Sequence, residues 1–370
     1  MAEASVDAMT STLISPAELL QPQTSNYKVW IPERAIFTPA ALDFAHGHRI
    51  WKRVQSLGIE AEVLKSNRVT DVRGTDARET YNRAKRTLAV VVAPPSAMKL
   101  SPIPPSADWQ FHLAEGCPAH CQYCYLAGSL SGPPVVRAFA NLDEILENTR
   151  RFEQADKPQS FEVSCYTDPL GIEHLTGSLE TAVRHFASRE GARLRWTSKF
   201  DAVDSLLGIE HCGNIEPRVS LNADAVSRRF EGGTASVEQR LEALRRLTLP
   251  HKNGGGDYPA GIVLAPIMPF ENWQGGYASL FDKIEDALAH QPPLTFELIT
   301  HRFTPGSKDT LLSWYPRTQL EMDETLRAAK RNKFGGTKFV YPREVMSEMR
   351  AWFESEIGRR FPHARILYWT

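Results

Sequence analysis

Three cysteines, Cys117, Cys121 and Cys124, stand in the segment Glu115-Gly-Cys-Pro-Ala-His-Cys-Gln-Tyr-Cys-Tyr-Leu126 with the spacing C-x3-C-x2-C. Thiolates are the usual ligands of iron–sulfur clusters, and a cubane [4Fe–4S] cluster has four irons to ligate. Three cysteines hold three irons and leave one open to an outside ligand. A structural zinc site is the competing reading. Zinc takes four ligands in a closed shell, usually with a second C-x2-C or an H-x3-5-H pair. His120 is a fourth ligand on paper, but it adjoins Cys121 and the two reach one tetrahedral ion with difficulty. Cys165 and Cys212 are single and distant, and five cysteines in 370 residues are no disulfide framework.

The elements that position these cysteines belong to an ordinary globular chain, 42% apolar and 24% charged. No apolar run approaches the roughly 18 residues of a membrane helix, so no membrane partner is expected. Residues 1–25 are Ser/Thr/Ala-rich, lack a basic-then-apolar signal pattern and read as a disordered tail. A reducing, cytoplasmic location is expected, which an exposed cluster requires. The chain is expected to act as a monomer.

Strand-like and helix-like segments alternate after a linker of Pro94, Pro95, Pro102, Pro104 and Pro105. Before it, residues 32–57 hold a helix and 87–92 a strand, so residues 26–105 read as an N-terminal α/β region with a proline-rich linker. After it, strands are expected at 109–115, 160–165, 192–199, 218–222, 261–268 and 294–303. Helices are expected at 143–154, 174–188, 237–247, 277–290 and 322–332. This alternation implies a parallel sheet with crossover helices, about six βα units in all. The fold class is α/β: a partial (β/α)6 barrel over residues 106–370, with the N-terminal α/β extension and a C-terminal helical and strand segment. Such a barrel places its site at the carboxyl ends of the strands. The polar residues there are Cys165 and Thr167, then Lys199, Ser220 and Asn222, then His301 and Arg302; the fifth strand ends in apolar Pro266 and Met268. Phe161, Val163 and Cys165 are expected on one strand face.

Net charge is −1, which gives no global attraction for nucleic acid. Between Glu324 and Glu344, however, there is no acidic residue, while Arg327, Lys330, Arg331, Lys333, Lys338 and Arg343 are cationic. Phe334, Phe339 and Tyr341 interleave with them. A phosphate-tracking surface needs this mixture; a solvated helix end followed by a core strand accounts for it equally well.

The cysteine segment resembles that of the radical S-adenosylmethionine (SAM) superfamily. Phe161-Glu-Val-Ser-Cys-Tyr-Thr-Asp168, Gly171-Ile-Glu-His-Leu-Thr176, Thr197-Ser-Lys-Phe200, Val219-Ser-Leu-Asn222, Val263-Leu-Ala-Pro-Ile267 and Phe296-Glu-Leu-Ile-Thr-His-Arg-Phe303 narrow the likeness. With them the chain resembles the spore photoproduct lyase family of DNA repair enzymes over nearly its whole length. Pro118 and Ala119 in the cysteine loop, and Gly335-Gly336-Thr337, depart from the pattern of spore-forming members.

The resemblance implies a lyase that restores two thymines from a methylene-bridged thymine dimer. It implies a [4Fe–4S] cluster that donates an electron to SAM, a 5′-deoxyadenosyl radical that takes hydrogen from the damaged base, and a cysteine that returns hydrogen to the resulting thymine radical. Carried over, Cys117, Cys121 and Cys124 match the cluster ligands and Cys165 the hydrogen donor. Tyr123 and Tyr125 match tyrosines that relay hydrogen back, and Thr167, Lys199 and Ser220 match SAM contacts, with Asn222 beside them. Arg302 falls at a DNA-contacting strand end, and Lys330, Arg331, Lys333 and Lys338 would hold backbone around a flipped lesion. Damaged DNA and an electron donor such as flavodoxin or ferredoxin are the implied partners. The alternative is an enzyme of the same family acting on another lesion or a substrate other than DNA.

Overall fold

The computed structural model describes residues 29–70, 72–130, 132–154, 156–331 and 335–370. The expected tail, residues 1–25, and Lys333 lie outside the described residues. The N-terminal part comprises β1 (Arg34–Phe37), α1 (Ala45–Ser56), β2 (Glu60–Val63), α2 (Ala77–Lys85) and β3 (Thr87–Val91). The chain continues through β4 (Ser101–Ile103), β5 (Ala107–Phe111), β6 (Ala114–Glu115), β7 (His120–Cys121) and β8 (Val136–Phe139). The first sheet has the order β2-β1-β3-β8-β6. The proline-rich linker therefore does not separate two sheets, since β6 and β8 follow it yet complete the first one. Ala35, Phe37, Leu88, Val90 and Ala138 pack there against Ile50 and Val54 of α1.

The second sheet begins with β4 and β5 and adds α3 (Leu142–Asn148), β9 (Gln159–Val163), α4 (Glu173–Thr176), α5 (Ser178–Ala187) and β10 (Ala192–Ser198). It goes on through β11 (Ile215–Leu221), α6 (Asp224–Phe230), β12 (Glu231–Gly232), α7 (Val237–Thr248), β13 (Ala260–Ile267), α8 (Trp273–Ala287) and β14 (Leu294–Thr300). The chain ends with α9 (Pro305–Trp314), β15 (Ala328–Arg331), β16 (Thr337–Val340), α10 (Arg343–Arg360) and β17 (Arg365–Trp369). The order of the second sheet is β17-β14-β13-β11-β10-β9-β5-β4. From β5 to β14 all neighbours are parallel and in chain order, the six βα units that the alternation predicts. β17 adds a further parallel strand beside β14. The sheet curls into a half-barrel whose outer face packs on α5, α7 and α8 through Phe186, Leu244 and Phe281.

Two expectations need correction. The helix expected over 322–332 is absent from its described residues, 322–331: a short 3-10 turn, Glu324–Leu326, leads into β15, which pairs antiparallel with β16. Asp323 Oδ1 accepts from Thr325 N at 2.9 Å and Thr325 Oγ1 at 2.7 Å, a local turn that competes with the helix. Nor does Cys165 share a face with Phe161 and Val163, because β9 ends at Val163 and Ser164 has φ 61. That left-handed residue breaks the two-residue period. Among the described residues, no helix is long and apolar enough to cross a membrane.

Candidate active site

The cysteine loop leaves β6 at Gly116, where φ is 76 and an added Cβ would lie 2.2 Å from the Val135 carbonyl oxygen, so only glycine fits. Lys85, buried at the end of α2, donates to the carbonyl oxygens of both Cys117 and Ala119. β7 pairs antiparallel with β12, setting Cys121 opposite Glu231, and Gln122 N–H donates to Phe230 O at 2.9 Å. The Tyr81 hydroxyl shares a 2.8 Å hydrogen bond with His120 Nδ1 and another with the Tyr315 hydroxyl. His120 is thus engaged by α2.

Burial pushes the Cys117 thiol up to about 12 and raises Cys121 and Cys124 too, with Cys124 adding to the rise at Cys117 and Cys121. Metal must displace those protons, so loading is pH-dependent. Among the described residues, no three His, Cys, Asp or Glu side chains gather round one point as ligands of a single ion. A cubane asks for less convergence, since each thiolate binds a different iron. Three thiols on one loop, braced from behind by Lys85, fit an iron–sulfur cluster.

The barrel rim carries the other candidates. Thr167 Oγ1 is buried with no hydrogen-bond partner, a hydroxyl that calls for a ligand. Lys199 Nζ donates to Ser220 Oγ at 2.7 Å, Glu231 Oε1 at 3.0 Å and Ala265 O at 3.1 Å, which occupies all three of its hydrogens. Asn222 Oδ1 accepts from Ala223 N and the Tyr277 hydroxyl, and Nδ2 donates to Pro266 O at 2.8 Å. Asn222 is therefore tied into the rim. The apolar fifth strand takes part through its backbone: a register shift between Leu264 and Ile267 frees the carbonyls of Ala265 and Pro266 for Lys199 and Asn222.

Sequence reasoning missed Glu231 and Asp168. Glu231 receives the Tyr123 hydroxyl, Lys199, Ser227 and Arg240, the last at 2.5 Å. Asp168 accepts from Lys199 N at 2.7 Å and Ser198 Oγ at 2.8 Å, locking the turn after β9 to the end of β10. Each looks like a solvated acid in the sequence, and only convergence in space gives it a role.

Cys165 follows Ser164, whose Oγ accepts Leu113 N–H at 3.1 Å and joins this turn to the strand leading to the cysteine loop. Burial, then the Glu162 carboxylate, push the Cys165 thiol up against the pull of Arg218, so it stays protonated. Beneath it, Arg218 binds Glu162 and, at 2.7 Å, Glu297 inside the barrel. Tyr125 is 60% exposed, yet the surrounding protein, then Cys165, Cys124 and Tyr166, hold its hydroxyl well above its ordinary pKa. Tyr123 instead points its hydroxyl at Glu231.

Arg302 is exposed just beyond β14, and the β15–β16 hairpin is stapled beside it by paired hydrogen bonds between Phe303 and Phe339. Lys330 lies directly opposite Lys338. Burial, then Arg302 and Lys330, depress the Lys338 ammonium, so the three cations share one patch. Arg331 lies exposed on the same hairpin. Arg327 turns inward, bonded to Glu321 and His301 and lying 3.7 Å over the Tyr341 ring.

A family model described as spore photoproduct lyase matches residues 30–370. The spore photoproduct lyase of Bacillus subtilis (strain 168) is 36% identical over 346 residues, covering 92% of this chain and 99% of that protein. This chain belongs to the spore photoproduct lyase family. The spore photoproduct lyase of Geobacillus sp. (strain Y412MC61) is 36% identical, covering 93% of this chain and all of that protein. A solved spore photoproduct lyase complexed with dinucleoside spore photoproduct superposes with TM-score 0.86 at 36% identity, covering 93% of this chain and 100% of that one. A mutant with bound AdoMet and the same dinucleoside gives TM-score 0.86 at 35% identity, with the same coverage. The half-barrel is the radical SAM fold.

Proposed function

We propose that this protein is a radical SAM lyase that reverses the spore photoproduct in DNA to two thymines. The observation that carries the reading is Cys165, a protonated thiol on the barrel rim that holds Thr167 and Lys199, with a three-cysteine loop beside it. The chemistry supplied by a bound [4Fe–4S] cluster and SAM is a 5′-deoxyadenosyl radical, generated by one electron. Cys117, Cys121 and Cys124 hold the cluster. Thr167 Oγ1 and the Ser220 hydroxyl bind SAM, Lys199 orients Ser220 and lends its charge to the SAM site, and Asn222 keeps the rim in place for them.

Cys165 holds a hydrogen at Sγ and gives it to the thymine radical, a downhill step because an S–H bond is weaker than the C–H bond formed. High thiol pKa serves this role, since a thiolate has no hydrogen atom to give. Tyr125, between Cys165 and Cys124, and then Tyr123 return hydrogen towards the cofactor. Arg302, Lys330, Arg331, Lys333 and Lys338 grip backbone phosphates around an extruded dinucleotide. A small one-electron carrier of the flavodoxin or ferredoxin kind serves as reductant, and the protein works as a cytoplasmic monomer. The test is to incubate the reconstituted protein with SAM, dithionite and ultraviolet-treated DNA containing the photoproduct. Restored thymine is expected; SAM cleavage without it would move the substrate to another lesion or another molecule.

A further inference from the structure

The rim has a wall that none of the assigned roles uses. The chain is buried from Phe161 to Ser164 and from Asp168 to Glu173, and only Cys165, Tyr166 and Thr167 between them are partly open. Just beyond the neighbouring strand β5, His112 is likewise partly open between buried Phe111 and Leu113. Cys165, Tyr166 and Thr167 follow β9 and His112 follows β5, so these four partly open residues lie just past the carboxyl ends of two neighbouring parallel strands, on the rim. Cys165 and Thr167 already have roles in it.

His112 and Tyr166 meet there, ring centroids 4.7 Å apart and planes tilted by 50°. His112 Nδ1 is buried without a hydrogen-bond partner. Burial lowers His112 to about 4, so the ring is neutral at physiological pH. A neutral imidazole with an unused ring nitrogen can accept or donate one hydrogen bond, according to tautomer. The imide edge of thymine alternates carbonyl acceptors with an N–H donor and suits either. A tyrosine face beside that edge offers the stacking platform that unpaired bases use.

We infer that His112 and Tyr166 form the recognition platform for one base of the substrate, His112 Nδ1 bonding the imide edge and Tyr166 stacking on the ring, adjacent to Cys165. The inference rests on the repair reading above and deepens it. His112 and Tyr166 set which base is held while Cys165 delivers hydrogen. An aliphatic substrate makes no equivalent use of the pair.

The test compares His112→Ala, His112→Asn, Tyr166→Ala and Tyr166→Phe in the reconstituted full chain on dinucleoside spore photoproduct. Both alanine variants are expected to raise KM by about tenfold or more while kcat stays within about twofold. His112→Asn, which keeps a hydrogen-bonding atom near Nδ1, and Tyr166→Phe, which keeps the ring, should restore KM. Unchanged KM in both alanine variants overturns the inference, and so does a fall in kcat at constant KM. If the unmodified protein leaves the photoproduct intact, the repair reading itself falls. The platform is then judged on equilibrium binding of thymidine dinucleotide, where equal dissociation constants for the unmodified protein and the alanine variants overturn it.

Discussion

Lys199 Nζ lies 3.0 Å from Glu231 Oε1, a carboxylate whose side chain is wholly buried. Burial alone would raise the Glu231 pKa, but Lys199 and Arg240 outweigh it and hold the group at about 2. The carboxylate is therefore ionised, and it joins the Lys199 strand end, Arg240 of α7 and Tyr123 of the cysteine loop. Lys199→Met leaves that charge with Arg240 alone. Breaking a buried pair is costly, but Arg240 remains, so a loss of roughly 2 kcal/mol in unfolding free energy is expected. Denaturant titration measures it. Iron content should stay at the level of the unmodified protein while 5′-deoxyadenosine formation falls. Unchanged stability would remove Lys199 from the ion cluster.

Cys121→Ala tests the ligand set. Cys121 is the most enclosed of the three candidate ligands, on the short β7–β12 ladder. The variant should reconstitute without a stable cluster, giving colourless protein and no SAM cleavage. Cys212→Ala is the control, since Cys212 is exposed and outside the site. A brown, active Cys121→Ala protein would refute the assignment.

Cys165→Ala separates hydrogen return from radical generation. Cluster colour and 5′-deoxyadenosine formation should persist, while the thymine radical, lacking a donor, is diverted to side products. Chromatography of the products reads this directly. An unaltered yield of thymine would take Cys165 out of the mechanism.

Much of this site could be read in the sequence because its parts are local. The three cysteines are contiguous, and parallel strands buried on both faces leave apolar runs such as Gly261–Ile267. What escaped detection depends on distance in the chain. Lys85 reaches a loop more than 30 residues away, 32 to Cys117 and 34 to Ala119. Glu231 gains its meaning from Tyr123, 108 residues earlier. Local backbone geometry hid the rest: Ser164 leaves the strand period through its positive φ, and the Asp323 turn replaces a helix with a hairpin.

The β15–β16 hairpin carries like charges directly opposite each other at Lys330 and Lys338, an arrangement that costs stability unless an anion lies across it. The double variant Lys330→Ala/Lys338→Ala should bind DNA more weakly whatever its sequence. The slope of log affinity against log salt should become shallower by about 2, one for each phosphate that a lysine no longer neutralises. Fluorescence anisotropy at several salt concentrations measures it. An unchanged slope would return the hairpin to an ordinary solvated surface.

Glu173 supplies a pH dependence far from the cysteines. It accepts Leu179 N–H at 2.8 Å and Glu180 N–H at 3.0 Å, capping α5 where Arg53 of the N-terminal extension approaches. Burial raises its pKa from 4.5 to about 7 in spite of those bonds. The folded state thus favours the protonated form more than the unfolded state does. Stability from this group is full below pH 4.5 and is lost as pH rises towards 7. The loss across that window is on the order of 3 kcal/mol. Glu173→Gln has no proton to lose, so its unfolding free energy should decline less over the same range. Urea titrations of both proteins at pH 5 and pH 7.5 read the difference, and parallel pH profiles would refute the assignment.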